Sequence, residues 1–222
     1  MIKKLEIKNF KSIKHLQLDC KRVNLFIGKP NAGKSNLLES VGIFSLPYVS
    51  GNLKELVRFE KMTNLFYDQD VNTKIEIIAD MALFEMAFEN GKFKGRGEDT
   101  GKKNGFEFEL DHDGKGSAGS HQNAPFKFYR FAAMDRFAKW ESEFLLPVKG
   151  ENLLQMLLIN KELRKVVAGL FGEYGFRMVL RTQEHKIEVQ KELEETVVSY
   201  PYSLVSDTLQ RTVFYLTAIK TN

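Results

Sequence analysis

Residues 23–35 are VNLFIGKPNAGKS, a mostly apolar run followed by a glycine-rich loop that ends in Lys-Ser. The apolar run predicts a strand buried on both faces of a mostly parallel sheet. The loop has the spacing G-x-x-x-x-G-K-S, and a helical pattern follows it. Strand, loop and helix in this order predict a phosphate-binding loop, whose curled backbone presents N–H groups to an anion. The alternative is a glycine-rich turn with a helix cap.

The positions of this loop predict separate roles toward a nucleoside triphosphate, which we expect to be ATP with Mg²⁺. Gly28 lets the chain leave the strand sharply, and Gly33 lets the backbone approach the phosphates where a Cβ would intrude. Lys34 is predicted to reach the β- and γ-phosphates, and the Ser35 hydroxyl to bind Mg²⁺. The other loop and helix positions predicted to contact the nucleotide are Asn31, Ala32 and Asn36.

The whole chain has the composition of an ordinary globular protein. Its 222 residues suit one domain, or one domain with an added lobe. The single cysteine, Cys20, cannot form an internal disulfide, and no apolar run has the length of a signal peptide core or a membrane span. We therefore expect a cytoplasmic protein without a membrane partner. The net charge of +4 is compatible with nucleic-acid contact but is equally explained by a solvated surface.

The first 48 residues predict two strands, the phosphate-binding loop and its helix. Alternating apolar positions indicate a strand within residues 1–10 and a second at residues 13–18. After the loop, apolar residues at helical spacing predict a helix that ends near Pro47. The side chains expected on its buried side are Leu37, Leu38, Val41 and Phe44.

The rest of the chain divides into a β-rich and a helical part. Residues 70–135 alternate apolar and polar positions between turn signals, which predicts an antiparallel β lobe with a strand-free loop at residues 111–125. Residues 150–222 predict one long helix, a hairpin that turns near Gln183, a loop and a final helix. We expect all of these parts to belong to one domain over residues 1–222.

The opening of the chain resembles a known group of ATPases. Residues 5–40, LEIKNFKSIKHLQLDCKRVNLFIGKPNAGKSNLLES, resemble the start of the SMC, RecF and OLD types of ABC-like ATPase. The match is carried by an NF(K/R)S-like turn formed by Asn9, Phe10, Lys11 and Ser12. The resemblance implies an α/β P-loop NTPase fold: an ABC-ATPase-like head with a mixed sheet around the P-loop helix, an antiparallel β lobe and a helical segment. It also implies that Lys11 lies beside the nucleotide; the alternative is an ordinary hairpin lysine.

Two further residues gain a role from this resemblance. YSLVSDTLQR, residues 202–211, looks like a diverged ABC signature loop, and in that family its serine, here Ser206, faces the γ-phosphate bound to a second head. The departure is that Asp207 and Thr208 stand where the usual signature has glycines, and a plain helix N-cap is the alternative. Gln69 is a candidate counterpart of the Q-loop glutamine, which senses Mg²⁺; a surface turn explains it equally well.

One part of the family pattern is missing from the sequence. An ABC-type ATPase has an apolar strand that ends in Asp, for Mg²⁺, followed by Glu to activate water. Three aspartates follow stretches that imitate such a strand, Asp80, Asp111 and Asp135, but none is followed by Glu. The catalytic residues are therefore unknown, and we expect the chain to be the N-terminal part of a longer ATPase or a remnant that hydrolyses ATP weakly or not at all.

Two functions from different classes remain open on the sequence. The first is an ATP-binding head of the SMC/RecF/OLD type that dimerises to complete its site, acts in DNA repair or defence, and works with DNA and a nuclease or effector protein. The alternative is a non-hydrolysing, ATP-sensing assembly module that docks another protein. The four histidines have no paired ligand spacing, so a metal site built on them is not predicted.

Overall fold

The computed structural model describes residues 2–139 and 142–222. The chain forms two compact units, residues 1–128 and residues 129–222, so the division falls inside the last part of the β lobe predicted for residues 70–135. Each unit has its own apolar core and is described by itself.

The first unit is built on one antiparallel sheet of seven strands, in the order β2-β1-β3-β4-β5-β6-β7. The strands are β1 (Lys4–Phe10), β2 (Ile13–Asp19), β3 (Ile75–Ala79), β4 (Ala82–Glu89), β5 (Lys92–Asp99), β6 (Asn104–Leu110) and β7 (Gly116–Ala118). Both predicted N-terminal strands and the antiparallel lobe are confirmed. The chain leaves β2 and returns to the sheet at β3, which pairs directly with β1.

The helix that follows the glycine-rich loop packs against β1 and β3 of this sheet. The helix α1 (Lys34–Gly42) continues into a 3₁₀ segment, Ile43–Val49. Strand residues alternate between core and surface, as a half-buried sheet requires, with Ile7 and Phe84 fully buried. Phe44, from the 3₁₀ segment, packs edge-on against Phe84 at 5.9 Å between ring centroids. Leu38, expected on the buried side, is instead 54% exposed.

The strand predicted for residues 23–28 is wrong. This segment leads into the loop without forming any ladder, and no described strand pairs with it. Its alternate side chains are exposed, 83% for Val23, 81% for Leu25 and 85% for Ile27. A strand needs a neighbour for its N–H and C=O groups, and every described strand of this unit pairs with other partners. The apolar run therefore has the composition of a buried strand without the pairing.

The loop predicted to be free of strands also departs from expectation. Its residues Gly116–Ala118 form β7, which pairs with the end of β6. A Cβ on Gly116 would stand only 2.0 Å from the Glu109 carbonyl oxygen, so the close approach of the two backbones depends on glycine. Glycine is a loop signal in the sequence, but here it permits edge pairing.

Among its described residues, the second unit combines three α-helices with a three-stranded sheet. Its elements are α2 (Leu153–Ile159), α3 (Lys161–Gly172), β8 (Arg177–Arg181), β9 (Lys186–Leu193), β10 (Thr196–Pro201) and α4 (Asp207–Lys220), with the sheet in the order β10-β9-β8. The predicted hairpin and final helix are confirmed, whereas β10 occupies part of an expected loop. The predicted long helix is two helices, because Asn160 ends α2 and its side chain caps α3 by accepting the Leu163 N–H at 2.9 Å.

Candidate functional site

The glycine-rich loop between residues 28 and 35 is curled. The Ala32 N–H donates to the Lys29 carbonyl at 3.3 Å, which closes a turn inside the loop. Asn31 and Gly33 both adopt left-handed backbone conformations, with φ angles of 62° and 81°. Left-handed residues reverse the direction of the chain and turn successive N–H groups toward one side. The backbone thus forms the concave shape that the sequence predicts.

The first turn of α1 opens at the mouth of this loop. Gly33 is the N-cap of α1, and no side chain caps the helix there. The N–H groups of Lys34, Ser35 and Asn36 have no carbonyl four residues earlier within the helix, so they remain available as donors. The helix also has a partial positive charge at this end. Uncapped donors and this charge together suit an anion with several oxygens, such as a polyphosphate.

Lys34 places its ammonium group inside the curl. Its Nζ donates to the carbonyl oxygens of Gly28, at 2.8 Å, and Lys29, at 2.7 Å. These carbonyls hold the side chain back over the loop and keep it from extending into solvent. An open groove of about 510 Å³ continues from Gly33 and Lys34 along β2, past Ser12 and His15. The groove gives the rest of a nucleotide a place beside the loop.

The surroundings of Ser35 and Gly33 show whether Mg²⁺ and a triphosphate fit at this loop. Ser35 is exposed in the first helical turn, and its hydroxyl makes no protein hydrogen bond in the described part of the chain. A hydroxyl oxygen is a ligand type that Mg²⁺ accepts. A Cβ on Gly33 would meet Ser12 Oγ at 3.3 Å, so the loop is lined by backbone there. The residues present therefore fit both groups.

The turn between β1 and β2 contacts α1 at two points. Ser12 Oγ accepts a hydrogen bond of 2.8 Å from Asn36 Nδ2. Lys11 Nζ donates to Glu39 Oε2, in the second turn of α1, at 2.7 Å, and also to the Arg58 carbonyl at 2.8 Å. Lys11 thus lies against the P-loop helix and is held there by an ion pair, while the nucleotide contact predicted for it stays a prediction.

Sequence reasoning missed Glu39 and Arg58 as parts of this region. Glu39 is almost fully buried between two cationic side chains, since Arg58 Nε also donates to its Oε1 at 2.7 Å. In the sequence, Glu39 has the pattern of an ordinary charged residue on the outer side of a helix. Its partners lie 28 and 19 residues away along the chain, so only tertiary contacts could reveal the cluster.

The two other predicted binding residues lie in separate settings. Gln69 is exposed in the short 3₁₀ turn Tyr67–Gln69, and within the described residues its side chain makes no hydrogen bond to the phosphate loop. Ser206 belongs to the second unit, where its Oγ accepts the Leu209 N–H at 3.3 Å and caps α4. The N-cap geometry is present for Ser206, and its proposed contact with a second head stays a prediction.

Two of the three aspartates that imitate a catalytic strand end accept hydrogen bonds from residues far away along the chain. The Asp80 carboxylate accepts the backbone N–H groups of Lys3 and Lys4, and these bonds lower the pKa of Asp80 below its usual value. The Asp135 carboxylate accepts from Ser203 Oγ. Asp111 follows β6 at the exposed start of a turn, where its N–H bonds the Lys115 carbonyl. These contacts give Asp80 and Asp135 a structural role in the fold.

Comparison with known proteins identifies the family. Residues 1–168 match the family model described as AAA ATPase domain, which covers well over half of the chain. The chain belongs to the AAA ATPase domain family. This membership confirms the α/β fold class of the P-loop NTPase type. The assignment of the curled loop as the nucleotide site of this AAA ATPase domain stays a prediction.

A curated relative of this AAA ATPase domain chain comes from Helicobacter pylori (strain ATCC 700392 / 26695) and is named ATP/GTP phosphatase. It is 35% identical over an alignment of 94 residues, and the match covers 35% of this chain and 24% of the relative. The similarity thus spans about a quarter of the relative's length. Among the described residues, no helix combines the length and the apolar character needed to cross a membrane.

Proposed function

We propose that this AAA ATPase domain chain is an ATP-binding head of the SMC/RecF/OLD type. The observation that carries the proposal is the curled loop at residues 28–35, with Gly33 left-handed, the start of α1 uncapped and the Lys34 ammonium inside the curl. The NF(K/R)S-like turn supports the subtype, because Ser12 of that turn bonds Asn36 of the P-loop helix. ATP is the expected nucleotide, and the name of the bacterial relative makes GTP the competitor to compare with it.

The residues of the loop divide the work of holding Mg-ATP. Backbone N–H groups at Gly33, Lys34 and Ser35 donate to phosphate oxygens, and the Lys34 ammonium moves from the loop carbonyls to the phosphates. The Ser35 hydroxyl, together with phosphate oxygens, holds Mg²⁺, which neutralises phosphate charge when bound. Ser206 engages a nucleotide bound to a second head, and DNA and a nuclease or effector protein are the partners that the subtype implies.

A second function, an ATP-sensing module that does not itself hydrolyse ATP, is favoured by one observation. Asp80 and Asp135, which imitate the carboxylate of a catalytic strand, are engaged with backbone N–H groups and a serine hydroxyl in the described structure. Phosphate release measured alongside binding separates the two functions. Turnover that is lost in Asp135→Ala would reject the non-hydrolysing module.

The binding test is a titration of ATP, GTP and Mg²⁺ into the purified chain by isothermal calorimetry. Lys34→Ala is expected to weaken ATP binding by at least about a hundredfold, since charged hydrogen bonds to phosphate are among the strongest in proteins. Lys115→Ala, at an exposed lysine of the loop between β6 and β7, is the matched control and should bind like the wild type. Equal ATP affinity in Lys34→Ala and the wild type would reject the assignment of this loop.

A further inference from the structure

Glu39 is a charged residue inside the packed side of α1. It is only 2% exposed, yet its carboxylate is held by two cations: Oε2 lies 2.7 Å from Lys11 Nζ and Oε1 lies 2.7 Å from Arg58 Nε. A buried carboxylate without such partners is strongly unfavourable, so the site depends on both. The three residues come from three separate segments of the first unit.

The contacts of this cluster form a closed ring. Lys11 Nζ also donates to the main-chain carbonyl of Arg58 at 2.8 Å, while the Arg58 side chain returns to Glu39. The side chain of Lys11 is 14% exposed and that of Arg58 is 68% exposed, so Lys11 is the more enclosed partner. One carboxylate on α1 therefore fixes both the turn between β1 and β2 and the segment around residue 58.

The same turn also touches the phosphate loop. Ser12, next to Lys11 in the chain, accepts from Asn36 Nδ2 at 2.8 Å and stands close to the Cα of Gly33. Two contacts thus attach the β1–β2 turn to the helix α1. Ser12 contacts the first turn of the helix, and Lys11 contacts the second. Any shift of Lys11 relative to Glu39 would move Ser12 relative to Gly33, because two adjacent residues share one short stretch of backbone.

We propose that Glu39 is a positioning residue of the nucleotide site. Through Lys11 it holds the β1–β2 turn in the place where Ser12 supports Asn36 and Gly33, so that the phosphate loop is curled before the nucleotide arrives. A loop that is already in the binding conformation loses less freedom when it binds. The ligand in this inference, Mg-ATP, rests on the proposed function, whereas the effect on loop geometry does not.

The test compares Glu39→Gln with Glu76→Gln. Glu76 is a matched control, because it is a part-buried glutamate of the same unit that bridges two lysines, Lys8 and Lys74, from β3. Two measurements are made: the ATP dissociation constant by calorimetry, and the backbone amide NMR signals of Gly33 and Lys34 without nucleotide. Glu39→Gln should raise the dissociation constant roughly tenfold, within the range for coupled neighbours, and shift both amide signals. Glu76→Gln should do neither, even if it lowers the melting temperature.

A double-mutant cycle shows whether Lys11 acts through Glu39. Lys11→Met should weaken ATP binding about as much as Glu39→Gln, and the double variant should lose little more than the worse single variant. Lys11→Arg, in contrast to Lys11→Met, should bind ATP like the wild type, since a guanidinium can donate to both Glu39 and the Arg58 carbonyl. Fully additive losses would mean that Lys11 contacts the nucleotide independently, which overturns the inference.

The remaining outcomes are also decisive. Unchanged amide signals and ATP affinity in a folded Glu39→Gln would reduce Glu39 to a stabilising residue and reject the proposal. If that variant does not fold, Glu39→Asp, which keeps the charge on a shorter side chain, takes its place in both measurements. If the wild-type chain binds no nucleotide, the proposed function fails, and shifted Gly33 and Lys34 signals in Glu39→Gln still support the positioning role.

Discussion

Asn36 Nδ2 donates a hydrogen bond of 2.8 Å to Ser12 Oγ, which ties the first turn of α1 to the turn between β1 and β2. The same oxygen lies 3.3 Å from the point where a Cβ on Gly33 would stand. A wall of the phosphate loop is therefore made by a segment about twenty residues earlier in the chain. The loop is thus a tertiary structure as well as a local motif.

Gly33→Ala is expected to impair both folding and nucleotide binding. Gly33 has a φ of 81°, where an alanine costs about 1–2 kcal/mol, and the new methyl group would press on Ser12 Oγ. Gly91→Ala is the matched control, because Gly91 has a φ of 77° in the turn between β4 and β5 and nothing lies within 4 Å of its missing Cβ. Chemical denaturation should show a similar loss in the free energy of unfolding for both variants. Calorimetry should show weaker ATP binding for Gly33→Ala alone. Equal ATP affinity in the two variants would contradict this.

Leu25→Ala is expected to leave the stability of the chain nearly unchanged. Leu25 is 81% exposed, and substitutions at such positions usually change the free energy of unfolding by less than about 0.5 kcal/mol. Leu65→Ala, at a fully buried leucine of the same unit, should lower it by about 2–5 kcal/mol. Urea denaturation of both variants measures the difference. A loss for Leu25→Ala as large as that for Leu65→Ala would show that the segment is buried in solution.

Asp80→Asn is expected to lower stability at neutral pH and to have less effect in acid. The backbone N–H groups of Lys3 and Lys4 hold the pKa of Asp80 below its usual value. The stabilisation is therefore present above the unfolded pKa of about 3.9 and is lost as pH falls through the lower folded pKa. Denaturation at pH 7 and near pH 3 should show the gap between wild type and variant closing in acid.

The control for this pH dependence is Asp19→Asn. Asp19 ends β2, and its carboxylate accepts no hydrogen bond among the described residues. Its substitution should change stability by a similar small amount at both pH values. A gap for Asp80→Asn that stays constant between pH 7 and pH 3 would show that the two N–H bonds do not favour the ionised form.

Ser206 allows its capping role to be separated from a role at a second head. Ser206→Ala removes the acceptor for the Leu209 N–H and should lower stability by about 1 kcal/mol, whereas Ser206→Asp keeps an acceptor there and should not. A carboxylate facing a γ-phosphate would be repelled, so Ser206→Asp should abolish ATP-dependent association, measured by analytical ultracentrifugation. Wild-type association by Ser206→Asp would leave Ser206 as a helix cap only.

The sequence predicted well those features that depend on short stretches of chain. The loop spacing around Gly33 and Lys34, the alternation in β1 and β3, and the serine cap of α4 each follow from neighbours within a few residues. It predicted poorly the features that depend on a partner elsewhere. Asn160 interrupts the expected long helix because its side chain caps a second helix, α3. Gly116 allows β7 to pair with β6 because it has no side chain to block the close approach of the two backbones.

The sequence by itself indicated an ATPase of the P-loop type, the curl of residues 28–35 and most of the strands and helices, because glycine, lysine and apolar periodicity act through local backbone geometry. Only the tertiary structure decided that residues 23–28 remain unpaired and exposed, since pairing depends on which strands lie alongside. It also decided that Glu39 lies buried between Lys11 and Arg58. A charge looks the same in the sequence whether water or two cations surround it, and its surroundings are set by the whole fold.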